Sequence, residues 1–121
     1  MSIKFINTPS PIGNFVNIRI TNSYAYISGQ GAFDDNGDLI TGKVGKDLDI
    51  DEPYDTARRV GVTLLSVIKN DIGLDQIKKV VKILGLVNCT EDFIYQPKVT
   101  NGCSDLLVEF FGKQKGVHAQ S

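Results

Sequence analysis

The chain has 121 residues and 13.2 kDa, the size of one folding unit that buries about two-thirds of its unfolded surface. Thirty-nine residues are Leu, Ile, Val or Phe, too many for a disordered chain. Thirteen Lys and Arg against fourteen Asp and Glu leave a net charge of -1, so no overall positive field gathers nucleic acid or anionic lipid.

Residues 2–6 (SIKFI) read as a first short strand, and the TPSPIG stretch at 8–13 as a loop rich in Pro and Gly. NFVNIRI from Asn14 alternates apolar and polar positions as a second strand. YAYISG at 24–29 alternates too and should pair with it through Thr21-Asn22-Ser23. Asp34 to Asp38 contains Asn-Gly and marks a further turn.

A helix begins near Asp51, with Asp as N-cap, Glu52 at the positive end of the dipole and Pro53 in the first turn. Ala57, Val60, Leu64, Val67 or Ile68 and Ile72 repeat at helical spacing, and Gly73 ends the run. Gly61 near this stripe implies a close helix–sheet approach. Residues 80–88 (VVKILGLVN) are apolar on nearly both faces, interrupted only by Lys82, and such a strand needs cover on both sides. A single helical layer supplies one cover, and a second subunit is expected to supply the other. A second helix runs from Gln96 or Pro97 to Phe111, burying Val99, Cys103, Leu106, Leu107 and Phe110 and stopping at Gly112. Val117 to Ser121 begins a last strand. The order implies an α+β mixed sheet with two helices on one face and at least one parallel pairing.

Several motifs fail on inspection. Gly29-Gln30-Gly31 lacks the third glycine and the adjacent helix of a dinucleotide loop, and the Gly-Lys pairs at 42–43 and 45–46 lack Walker spacing. Asp34, Asn36 and Asp38 resemble a calcium loop, but Leu39 and Gly45 occupy positions needing Gly and Glu. Cys89 and Cys103 form no C-x-x-C pair and read as buried structural thiols. His118, the sole histidine, has no Ser or Cys partner at a recognisable spacing and reads as a strand-edge polar residue. Lys78, Lys79, Lys82, Lys113 and Lys115 are the only basic groupings, without interleaved aromatics, and read as solvated surface. No apolar run spans a membrane and no signal segment opens the chain, so a cytoplasmic location is expected, with no membrane partner, no metal and no cofactor.

Five segments taken together carry a resemblance: IGNFV at 12–16, YISGQGAF at 26–33, GKVGKDL at 42–48, VKILGLVNC at 81–89 and QPKVTNGCSDLLVEFFG at 96–112. In this order and spacing the chain resembles the RidA family, also called YjgF-type proteins or L-PSP endoribonucleases, in a sub-branch apart from the best-known deaminases. The resemblance implies one domain over 1–121 with a chorismate-mutase-like fold, and a homotrimer whose sheets form a central barrel. It also implies clefts between subunits, where deaminating members hydrolyse enamine and imine metabolites to keto acids and ammonia. Their machinery is an arginine fork on the substrate carboxylate and a held water.

Carried onto this chain, the ligand-binding positions are Phe15, Gly29, Gln30, Ser104 and Gln120, with no catalytic residue assigned. Gly29 keeps a ligand-contacting backbone position. Phe15 stands in place of a tyrosine, Ser104 in place of a frequent asparagine, and Gln120 in place of the carboxylate-binding arginine. The chain stops at Ser121, where members complete this strand and add another bearing a water-positioning glutamate, so that C-terminal strand is expected to be missing. Three functions remain open at this level: a hydrolase of imines or related small carboxylates, a non-catalytic or differently selective metabolite-binding trimer, and an endoribonuclease. The acidic balance argues against the last.

Overall fold

The computed structural model describes residues 3, 5–7, 10–11, 13–36, 38–40, 51–85 and 96–120. Strand β1, Ile18–Thr21, pairs antiparallel with β2, Tyr24–Ile27, in the register Ile18↔Ile27 to Thr21↔Tyr24. The two residues between them, Asn22 and Ser23, take φ of 53° and 67°, the left-handed geometry of a tight two-residue hairpin. The expected connection is therefore present, although β1 starts later than Asn14, since 13–15 form a bend.

Beyond the hairpin, the turn from Asp34 is held by its own carboxylate. Asp34 Oδ1 accepts the backbone N–H groups of Asn36 and Asp38, each at 2.9 Å, and Phe33 bridges to Leu39. The carboxylate that suggested a calcium ligand thus serves the loop itself, an Asx turn. Among the described residues no cluster of His, Cys, Asp or Glu has a metal-binding arrangement.

Helix α1 spans Asp51–Asp71 and α2 spans Gln96–Phe111, both within a residue or two of their expected limits. Gly73 (φ 108°) follows the end of α1, and Gly112 (φ 83°) ends α2. The two helices pack side by side and run in the same direction. Tyr54 meets Asp105, and one turn further along both helices Arg58 meets Glu109. Two glycines allow this approach. A Cβ on Gly102 would collide with the carbonyl of Tyr54, and one on Gly61 would stand 2.8 Å from Leu106 Cδ2 and 3.3 Å from Cys103 Sγ. Gly61 therefore serves helix–helix contact, not the helix–sheet contact its place in the stripe implied.

The core lies at this junction: Leu65, Cys103, Leu106 and Leu107, with Ile3, Phe5, Val80, Ile83 and Phe110 packed against it. Phe5 meets Phe110 edge to face at 6.3 Å. Leu65 is fully buried, whereas Val60 and Leu64 are half-buried, because α2 docks along the Ala57–Gly61–Leu65 line. Ser66 and Thr63 are also buried, and their hydroxyls donate to the carbonyls of Val62 (2.8 Å) and Arg59 (3.1 Å). Ser66 Oγ in addition accepts the N–H of Ile6 at 3.0 Å. That bond accounts for one departure: Ile3, Phe5 and Ile6 form no ladder, since this segment lies on α1 instead of pairing as a strand.

Strand β3 is short, Lys82–Ile83, and pairs in parallel with β4, Ala119–Gln120, after α2 and a single-turn helix α3, Lys113–Gly116. The expected parallel crossover is present. The expected single mixed sheet is not continuous among the described residues: β1–β2 and β3–β4 are separate two-stranded ladders. Leu86 to Asn88, Cys89 and the GKVGKDL segment lie outside the described residues. Val81 and Leu84 are exposed while Val80 and Ile83 pack against the core, so the described part of the apolar run is only partly covered within this chain. No described helix is long and apolar enough to cross a membrane.

Candidate functional site

The five residues carried over from the resemblance fall into two groups. Phe15, Gly29 and Gln30 stand with the β1–β2 hairpin. Ser28 secures the strand exit, its N–H donating to Asn17 O at 2.9 Å and its hydroxyl to Val16 O at 2.6 Å. Gly29 beyond it is exposed, with nothing within 4 Å of where a Cβ would lie, so its backbone is open to approach. Gln30 folds back, its amide donating to Ser28 O at 3.2 Å and lying 3.5 Å from Asn17 Oδ1. Phe15 is 49% exposed, a large ring with no polar handle.

Ser104 and Gln120 form the second group and touch each other. Ser104 is buried on α2, and its hydroxyl donates to Gln120 Oε1 on β4 at 2.5 Å. The parallel register of β4 on β3 delivers Gln120 to that point. A third member, absent from the sequence-derived set, joins them: His118 Nε2 lies 3.0 Å from Ser104 Oγ. His118, for which the sequence offers no Ser or Cys partner at a recognisable spacing, thus gains one from the fold. The partner is fourteen positions away and on another element, so no local spacing could reveal it. The ring's other nitrogen, Nδ1, donates to the Gly116 carbonyl at 2.6 Å, which fixes its orientation and requires a proton on Nδ1. The result is a chain of four groups from the Gly116 carbonyl through His118 and Ser104 to an exposed amide.

Cys103, next to Ser104, points into the core, and burial pushes its thiol up to about 11, so it is protonated and unreactive at neutral pH. The structural reading of this cysteine holds. A groove of about 350 Å³ lies elsewhere, lined by Phe33, Asp34, Arg58 and Arg59 among others. Its arginines are committed: Arg58 grips Glu109 with both arms (3.2 and 3.0 Å), and Arg59 holds Asp35 (3.2 Å) and the Phe33 carbonyl (3.1 Å). It therefore offers no spare cation for an anionic ligand, and the exposed Gln120 amide is the better candidate.

The chain belongs to the YjgF/chorismate mutase-like, "putative endoribonuclease" family, which it matches over residues 2–121. Protein TCP17 of Trypanosoma cruzi is 33% identical over 121 residues, covering 99% of this chain and 76% of that protein. A putative endoribonuclease from Shewanella oneidensis MR-1 superposes with a TM-score of 0.91 at 29% identity, covering 97% of this chain and 78% of that one. The protein Atu1372 of Agrobacterium tumefaciens, of unknown function, superposes at 0.85 with 31% identity, covering 93% and 72%.

Proposed function

We propose that this chain is a RidA-type hydrolase that binds small carboxylates of the enamine or imine class in clefts between subunits of a homotrimer. The observation that carries the reading is Gln120, an exposed amide anchored on the buried Ser104 hydroxyl at 2.5 Å, in the place of the family's carboxylate-binding arginine. An amide N–H is a weaker carboxylate donor than a guanidinium, yet a fixed one loses little freedom on binding. The imine carbon is already electrophilic, so holding substrate and water close supplies most of the acceleration.

The trimer draws support from apolar side chains that this chain leaves uncovered. Ile20, Tyr24, Tyr26, Val81, Leu84 and Val117 are all more than half exposed, and a lone two-stranded hairpin such as β1–β2 is marginal in water. Association would also bring the Phe15–Gly29–Gln30 group of one subunit toward the Ser104–Gln120 group of another.

Freshly generated 2-iminobutanoate is the direct test: release of 2-oxobutanoate and ammonia should be faster with the protein than without it, and slower again in Gln120→Ala. Equal rates with and without protein refute the hydrolase. A second reading, a non-catalytic carboxylate-binding trimer, is favoured by Phe15, which lacks a hydroxyl donor; it expects Gln120→Arg to strengthen calorimetric binding of 2-oxobutanoate without any turnover. Light scattering at three times the chain mass is expected under both.

A further inference from the structure

The Ser104 hydroxyl has one proton and two polar neighbours. Gln120 Oε1 lies at 2.5 Å and His118 Nε2 at 3.0 Å, while Nδ1 is already committed as donor to the Gly116 carbonyl. Two arrangements satisfy every group. When the imidazole is neutral, Nε2 carries a lone pair, Ser104 must donate to it, and Gln120 has to turn its NH2 inward to the serine oxygen. The amide oxygen then faces outward. When the imidazole is protonated, Nε2–H donates to Ser104 and Ser104 donates to Gln120 Oε1, an order that fits the placement of Oε1 against the serine, so the NH2 faces outward.

We infer that His118 is a positioning residue for ligand recognition: by taking up a proton at Nε2 it reverses the hydrogen-bond polarity of the Ser104–Gln120 relay, turning Gln120 outward as a donor and adding a positive charge behind it, so that carboxylate capture and His118 protonation are coupled. The inference rests on the reading of Gln120 as the carboxylate contact. Neutral His118 presents an amide oxygen, which repels a carboxylate; protonated His118 presents an N–H pair backed by a cation two hydrogen bonds away. The protonated relay thereby restores in part the charge missing from Gln120.

The surroundings leave His118 to act in this way. On α2, Asp105 and Glu109 are held by Tyr54 and Arg58 from α1, and the Cys103 thiol stays neutral. Lys113 and Lys115 on α3 and Lys82 on β3, the strand paired with Ala119, are the exposed cations of the neighbouring elements. None of the described hydrogen bonds joins a carboxylate to the ring, so an incoming carboxylate supplies the countercharge. By linkage, a ligand that prefers the protonated form also raises the titration midpoint of the ring.

His118 is the only histidine in the sequence, so its imidazole gives one unambiguous NMR signal. The experiment titrates the whole protein with and without 2-oxobutanoate, alongside calorimetry of the same probe between about pH 8 and pH 5.5, the range in which histidines exchange their proton. Affinity should rise at least fivefold, as an order-of-magnitude expectation, on acidification, and the His118 midpoint should move upward with the probe. His118→Gln should flatten the pH dependence, and Gln120→Arg should bind the probe at every pH. Wild-type binding that ignores pH, an equal dependence in His118→Gln, or a neutral imidazole with its proton on Nε2 overturns the relay and leaves the carboxylate site standing. Binding by Gln120→Arg alone also overturns the relay, since glutamine then never serves as the donor. Failure of both proteins to bind at any pH overturns the carboxylate site itself and the relay with it.

Discussion

Tyr54 on α1 donates its phenol proton to Asp105 Oδ2 on α2 at 2.5 Å, across the seam where the two helices run in the same direction. The Arg58–Glu109 pair repeats the contact one turn on, with side chains 31% and 44% exposed. The hydrogen bond to Asp105 raises the Tyr54 ionisation above its usual 10.0, with burial adding to the effect.

For that seam the expected energetics are small and testable. Tyr54→Phe should cost about 0.5 kcal/mol in urea unfolding, the low end for a hydrogen bond because the pair is exposed. A double-mutant cycle on Arg58 and Glu109 should give a coupling of about 0.5–1 kcal/mol that falls with added salt. Since the folded Tyr54 holds its proton more tightly than the unfolded one, its contribution is fully present below about pH 10 and is lost as pH climbs from there through the raised folded value. Ultraviolet titration should show one tyrosine ionising later in the wild type and that phase missing in Tyr54→Phe.

Glycine replacements on the same seam should differ in severity. Gly102→Ala drives a methyl into the Tyr54 carbonyl, a backbone atom that cannot move without shifting a helix. Gly61→Ala meets mainly the end of the Leu106 side chain, which can turn, and it gains up to about 1 kcal/mol of helix propensity. Gly102→Ala should therefore cost about 1–3 kcal/mol and lower Tm by several degrees, with Gly61→Ala distinctly milder. The reverse order, read by calorimetry, would contradict the packing.

Cys103 should be silent to thiol reagents while the protein is folded. In a Cys89→Ser background it is the remaining thiol, and its reaction with a disulfide reagent at neutral pH should proceed only through unfolding, speeding up steeply with urea. Its ionisation, raised by burial to about 11, stabilises the fold below the usual value of 9.0, and that contribution is lost as pH rises from 9.0 through about 11.

Much of this architecture could be read from the residues because local signals agreed. Pro97 and Gly112 bracket an apolar stripe that became α2 with its expected limits, and Asn22-Ser23 gave the hairpin turn. What escaped depended on contacts between distant positions. Leu65 is buried only because Gly61 and Gly102 let α2 come close, and the SIKFI segment alternates like a strand yet spends the Ile6 N–H on Ser66. Helix α3 has no apolar period at all; its one turn lies on α2, with Gly116 close to the Leu107 carbonyl. At the candidate site, the resemblance points to Ser104 and Gln120, whereas the Ser104–His118 contact joins two elements and leaves no local spacing in the sequence.

The Lys82↔Ala119 pairing also has a consequence for the order in which the molecule assembles. Ala119 N–H donates to Val81 O at 3.0 Å, and Val80 N–H donates to Lys115 O at 2.8 Å, so the ends of a loop containing all of α2 are tied together by a few backbone bonds. Such long-range closure is reached late in folding and, being short and partly exposed, is released early in local opening. The relay of Ser104, His118 and Gln120 hangs on that closure. Its integrity is thus a readout of a short, partly exposed closure, and mild destabilisation far from the site can break the hydrogen bonds among these three residues while leaving the paired helices intact.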